Sequence, residues 1–124
     1  MWHYKSLKKI LITVLLTFLC IETKADYMQD LQIMNELAAF SEYGVKTNWS
    51  VSELNYLENK VNQFSDQSLK QAWILNTILY SLVGDGFSTQ TSTERCRIAK
   101  RNISKLNDKD LKSIWNSNYN IYGC

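Results

Sequence analysis

The chain has 124 residues, no proline and only four glycines. Those two residues are the strongest helix breakers, so little in the chain interrupts a helix. Alternating apolar and polar runs are also missing, which excludes a sandwich or barrel of short strands. Histidine is nearly absent, since His3 is the only one. Without it the commonest general base and the Ser-His and Cys-His nucleophile arrangements are unavailable. No Walker loop, dinucleotide-binding glycine pattern or His-Glu-x-x-His occurs. Cysteine is sparse, at Cys20, Cys96 and Cys124.

The amino end assigns these cysteines. Lys5, Lys8 and Lys9 precede an apolar run from Ile10 to Ile21, followed by Thr23-Lys24-Ala25. A basic segment, an apolar core of about 12 residues and a small terminal residue predict a secretory signal peptide over 1–25, cut before Asp26. A permanent span needs roughly 20 apolar residues, so an uncleaved anchor is the lesser alternative. A lipid anchor on Cys20 is disfavoured, because Phe18 and Leu19 stand where acylation wants small residues. Membrane attachment is therefore expected only through a retained or lipidated amino terminus.

Removing the leader takes away Cys20 and His3 and leaves two cysteines in an oxidising compartment, periplasmic or extracellular. That count predicts a Cys96–Cys124 disulfide. Two thiols without histidine cannot complete a zinc site unless carboxylates help, so no metal or cofactor is expected.

Residues 26–124 then read as one all-α domain, a small bundle of four main helices plus a short C-terminal fifth. Tyr27, Leu31, Met34 and Ala38 recur at helical spacing over Asp26–Tyr43, with Gly44 as the terminator. Ser50 and Glu53 form a capping box, and Trp49 with Leu54 the accompanying hydrophobic staple. Leu54, Leu57, Val61 and Phe64 give the second helix its apolar face. A third helix opens at Ser65 or Asp66 and is apolar nearly all round, through Leu69, Trp73, Ile74, Leu75, Ile78, Leu79, Leu82 and Val83. Such a helix belongs at the centre of a bundle.

The segment "GDGFSTQTS" is a loop, with Asp85 in a helix-ending turn. Thr91 or Ser92 starts the fourth helix, with Cys96, Ala99, Ile103 and Leu106 inward. Asp108 caps the fifth, carrying Leu111, Ile114, Trp115 and Tyr119. A short turn at 107–109 makes these last two helices antiparallel. The chain thus descends about 15 Å at roughly 1.5 Å per residue, bringing Cys124 back beside Cys96. Closing a loop of this length stabilises by roughly 3.5 kcal/mol in the chain-entropy picture.

Charge and aromatic placement suggest surfaces. Acids predominate before Gln67, and Lys70, Arg95, Arg97, Lys100, Arg101, Lys105, Lys109 and Lys112 predominate after it. Arg97, Lys100, Arg101 and Lys105 fall opposite the apolar face of the fourth helix. They form either a solvated face or a basic surface for an acidic envelope or secreted protein or an anionic polymer. No aromatic residues interleave them, and nucleic acid is not expected outside the cytoplasm. Trp49 and Phe87 lie on loops and are candidate binding anchors, although the staple already employs Trp49.

Asn48-Trp49-Ser50 and Asn102-Ile103-Ser104 match the glycosylation acceptor pattern. Of the carboxylates available to a cell-wall hydrolase, Glu36, Glu42, Glu53, Glu58, Asp85 and Glu94, the capping box employs Glu53, the turn Asp85 and the start of the fourth helix Glu94, so a catalytic pair is sought among the rest. The expected role is a non-enzymatic, exported protein-binding module, such as an immunity or inhibitor protein or an accessory of an envelope secretion system. The carboxylate-dependent hydrolase is the alternative.

Overall fold

The computed structural model describes residues 26–83 and 91–124. The leader, with Cys20, and the loop carrying Asp85 and Phe87 lie outside those residues. Among the described residues the fold is all-α, without strands. Helix α1 covers 26–40, and α2 (Val51–Val61), α3 (Gln67–Leu82), α4 (Thr93–Ile103) and α5 (Lys109–Ile121) follow.

Each of the last four helices begins where a short polar side chain satisfies a free backbone N–H. Ser50 Oγ accepts from the Glu53 N–H at 3.1 Å, and Glu53 Oε1 accepts from the Ser50 N–H at 2.8 Å, completing the expected box. Asp66, Ser92 and Asp108 cap α3, α4 and α5 through the N–H three residues on.

One core joins the elements. Helix α3 lies between α2 and α4, contributing Ile74, Ile78 and Leu82. Leu54, Leu57 and Val61 come from α2, Ile98, Ala99 and Ile103 from α4, and Phe64 and Leu106 from the connecting turns. Each such leucine, isoleucine, valine or phenylalanine contributes about 1.5–3 kcal/mol relative to exposure. Thr77 and Ser81, buried on α3, donate to the carbonyls of Trp73 and Thr77, at 2.8 and 2.7 Å.

Helix α1 faces the core differently from its expected stripe. Ile33 and Leu37 point inward with Asp30 and Ser41, whereas Tyr27 and Leu31 are exposed. Asp30 decides the rotation. Its carboxylate accepts from the Ser65 N–H at 2.8 Å, the Ser65 hydroxyl at 2.9 Å and the Asp66 N–H at 2.9 Å. A side chain on α1 thus completes the turn that starts α3.

The expected clasp is present. Cys96 and Cys124 are bonded, with Cα atoms 5.6 Å apart. Beside the bond, the Thr91 N–H donates to the Tyr122 carbonyl at 3.1 Å. Gln71 of α3 fixes the other end of the α4–α5 hairpin, donating to the Lys105 carbonyl at 3.0 Å and accepting from the Asn107 N–H at 2.9 Å. Helix α5 runs 13 residues, against 11 for α2 and α4, yet none of its residues is fully buried. Leu111, Trp115 and Tyr119 lean on the core, while Ile114, expected beside them, points to solvent. It lies about 100° round the helix from Trp115, beyond the narrow face that α5 presents to the core.

Candidate binding surface

The turn joining α1 to α2 combines a buried aromatic stack with an exposed, strained crest. Trp49 is only 1% exposed. Its indole stacks on Tyr80 with centroids 4.5 Å apart and meets the edge of Phe40 at 5.6 Å. The indole N–H donates to the Lys46 carbonyl at 3.3 Å, and the Lys46 ammonium sits 5.4 Å from the ring centroid. That ammonium also pairs with Glu53 at 2.8 Å. Trp49 is therefore a core residue and not a surface anchor, because the Tyr80 stack, the Phe40 edge and the Lys46 side chain enclose it.

The crest above this stack displays other side chains. Helix α1 stops at residue 40, and Glu42, Tyr43 and Gly44 follow with φ of 53°, 56° and 89°. The Tyr43 N–H reaches back to the Ala38 carbonyl at 2.7 Å, a Schellman-type closure. The Lys46 N–H then donates to the Ser41 carbonyl at 3.1 Å. Glycine suits such left-handed backbone, but two of these three residues are not glycine. Each non-glycine residue there costs about 1–2 kcal/mol. Glu42 and Tyr43 are both exposed, Tyr43 at 83%, so side-chain packing does not offset the strain; Val45 beside them is 74% exposed. The sequence marks a turn here through Gly44, but helical spacing alone would carry Tyr43 inside α1.

The basic face of α4 divides in two. Arg101 forms a two-pronged pair with Glu58 of α2, at 2.7 Å through both Nε and Nη2. Lys105 Nζ approaches the same carboxylate at 3.4 Å and Asn62 at 3.3 Å, while the buried Asn102 donates to it at 2.9 Å. Arg101 and Lys105 thus lock α4 to α2, because Glu58 faces them across the groove between the helices. Arg97, paired with Glu94, and Lys100 remain on the exposed side. Asn102 is buried and committed to Glu58 and the Ile98 carbonyl. A glycan there is incompatible with the fold, whereas Asn48 is exposed.

Four of the candidate carboxylates, Glu36, Glu53, Glu58 and Glu94, are held in ion pairs. Glu36 pairs with Lys60 at 2.7 Å, and that hydrogen bond holds its carboxyl below the usual range. The Lys46 ammonium, helped by the Ser50 N–H, brings Glu53 to about 2. Burial alone would raise Glu58, but hydrogen bonds from Arg101 and the charges of Arg101 and Lys105 outweigh it, and the net direction is down. Asp30 is also lowered, since the Ser65 and Asp66 hydrogen bonds outweigh its burial. A general acid in glycoside hydrolysis needs the opposite shift. Glu42 is exposed on the crest, and Asp85 lies outside the described residues, as does Phe87.

Among the described residues no helix is long and apolar enough to cross a membrane. No group of three or more metal-ligating side chains occurs among them either. Comparison with protein-family models, curated proteins and solved structures finds no match to this chain.

Proposed function

We propose that the protein is an exported, non-enzymatic module that binds an envelope or secreted protein through the α1–α2 crest. The observation that carries this reading is the left-handed backbone at Glu42 and Tyr43, which displays Tyr43 to solvent beside the exposed Val45. Backbone strain that no internal packing repays concentrates at functional sites, and exposed tyrosine is a frequent interface anchor. Arg97 and Lys100 offer a second, basic contact suited to an acidic partner. An immunity or inhibitor protein, or a secretion-system accessory, fits this description. The signal-peptide pattern and the disulfide support export.

The decisive experiment separates strain from binding. Tyr43→Gly relieves the left-handed conformation, so stability should hold or rise slightly. Capture of the partner from an envelope extract should nevertheless fall at least about tenfold, as for an interface hot spot. Undiminished capture by Tyr43→Gly and Val45→Asp would overturn the crest as the binding site. The lowered carboxylates speak against a hydrolase. Clearing of peptidoglycan in a zymogram, lost in Glu36→Gln or Glu58→Gln, would reinstate one.

A further inference from the structure

Asn102-Ile103-Ser104 is an N-glycosylation acceptor pattern, yet its asparagine is only 1% exposed. The amide Nδ2 donates to Glu58 Oε2 and to the Ile98 carbonyl oxygen, each at 2.9 Å. Both partners are acceptors, so the amide's orientation is fixed and both of its hydrogens are used. N-glycosylation joins Nδ2 to the anomeric carbon of a lipid-diphosphate-linked oligosaccharide. The carbon's bond to the diphosphate breaks and an Nδ2 proton is released. On Asn102 that exchange removes one of the two hydrogen bonds and forces a sugar chain between α4 and α2. The buried site has no room for it.

Burial in the finished fold comes too late to shield this asparagine. The clasp that closes the α4–α5 hairpin needs Cys124, which follows Asn102 in the chain. During export Asn102 is therefore presented before the hairpin can close. Asn48 differs, since it is exposed on the α1–α2 crest and can carry a glycan without disturbing the core.

We propose that the chain matures in a compartment that forms disulfides but does not N-glycosylate, a periplasm or the exterior of a cell that exports without a glycosylating lumen. This rests on the export reading above and narrows it. Disulfides form in the lumen of the endoplasmic reticulum and in a periplasm alike, so the clasp is compatible with both routes. Asn102 is compatible with the second alone. The partner is correspondingly a protein met in such an envelope or outside it.

Two arms test the route. In a bacterial host the full chain should be recovered from the periplasm without residues 1–25 and without free thiols. Uncut chain with free thiols would overturn the export reading, and this proposal with it. The second arm tests the proposal alone. The full chain, placed behind a yeast secretory leader and passed through that pathway, should gain sugar at Asn102, mapped by glycosidase treatment and peptide mass. Ser104→Ala abolishes the acceptor and leaves the Asn102 amide in place. Ser104 is exposed, and its hydroxyl donates to the Arg101 carbonyl at 2.6 Å. The yield of clasped, protease-resistant monomer should be at least about tenfold higher for Ser104→Ala than for the native sequence, as the loss of a buried hydrogen bond to a carboxylate implies. A folded chain bearing sugar on Asn102 overturns the proposal and leaves export standing. So does a folded chain from the same pathway with Asn102 unmodified, or a yield that Ser104→Ala does not raise.

Discussion

Helices α2, α3 and α4 are held by what they bury, and α5 by what it is tied to. The first three interlock through side chains such as Leu54, Leu57, Ile78 and Ala99, all fully enclosed. The Glu58 cluster then fixes α2 to α4. Helix α5 has no fully buried residue and is secured at one end by Cys96–Cys124 and Thr91–Tyr122, at the other by Gln71. A domain of about 100 residues has limited core. Once the preceding helices have used it, a further helix can be attached covalently with only a narrow, half-buried face of its own, here Leu111, Trp115 and Tyr119. The geometry that permits this is the short α4–α5 turn, which returns the chain to the start of α4.

The largest effects should separate the two modes of attachment. Ile78→Ala opens a cavity at the centre of α3 and should cost about 2–5 kcal/mol, with every helix lost in one cooperative transition. Cys124→Ser should cost roughly 2–4 kcal/mol but act locally. Hydrogen exchange should quicken over α5 well before α2 and α3, while most helical circular dichroism remains. If exchange quickened uniformly in Cys124→Ser, α5 would belong to the same cooperative unit, and the distinction would fail.

Glu58→Ala should fall below both. Breaking a fully buried pair costs about 3–5 kcal/mol, but Arg101 and Lys105 retain access to water and Asn102 keeps its bond to the Ile98 carbonyl. A cost of about 1–3 kcal/mol is therefore expected, measured by denaturant unfolding. In a double-mutant cycle, Glu58→Ala with Arg101→Ala should show coupling, whereas Glu58→Ala with Cys124→Ser should be nearly additive. Strong coupling in the second cycle would mean that the clasp orders the α2–α4 pair as well.

The same contrast explains which features the sequence disclosed. Capping is local, with donor and acceptor three residues apart, so Ser50–Glu53 and Asp108 are legible directly. The disulfide follows from helix lengths and a turn. Asp30 and Glu58 are different, since their partners lie 35 and 43 residues away, and a carboxylate on an amphipathic helix reads as solvent-facing. That is why α1 presents Ile33 and Leu37 inward in place of Tyr27 and Leu31. Both stripes have helical spacing, and only the distant N-terminus of α3 selects between them. Arg101 and Lys105 read as a free basic face for the same reason. The Tyr43 crest was half legible: Gly44 announces a turn, but nothing local says that the two residues before it adopt left-handed backbone.

The smallest expected effect tests the comparison through acid. Glu53, Glu58 and Asp30 all have carboxyls lowered on folding, by Lys46, by Arg101 with Lys105, and by the Ser65 and Asp66 donors respectively. A carboxyl lowered in the folded state adds stability that is fully present above its ordinary value. That stability is lost as pH falls through the folded value. For Glu53 the window runs from its ordinary 4.5 down to about 2. The bundle should therefore be level in stability above that window and weaken progressively within it. Among the described residues no carboxylate joins α5 to another helix, and a disulfide does not titrate. The difference in unfolding free energy between the native chain and Cys124→Ser should consequently stay constant as both weaken in acid. Parallel pH profiles from denaturant unfolding would support two independent modes of attachment. A difference that widens or closes below pH 4.5 would show that the ion pairs and the clasp hold the helices jointly.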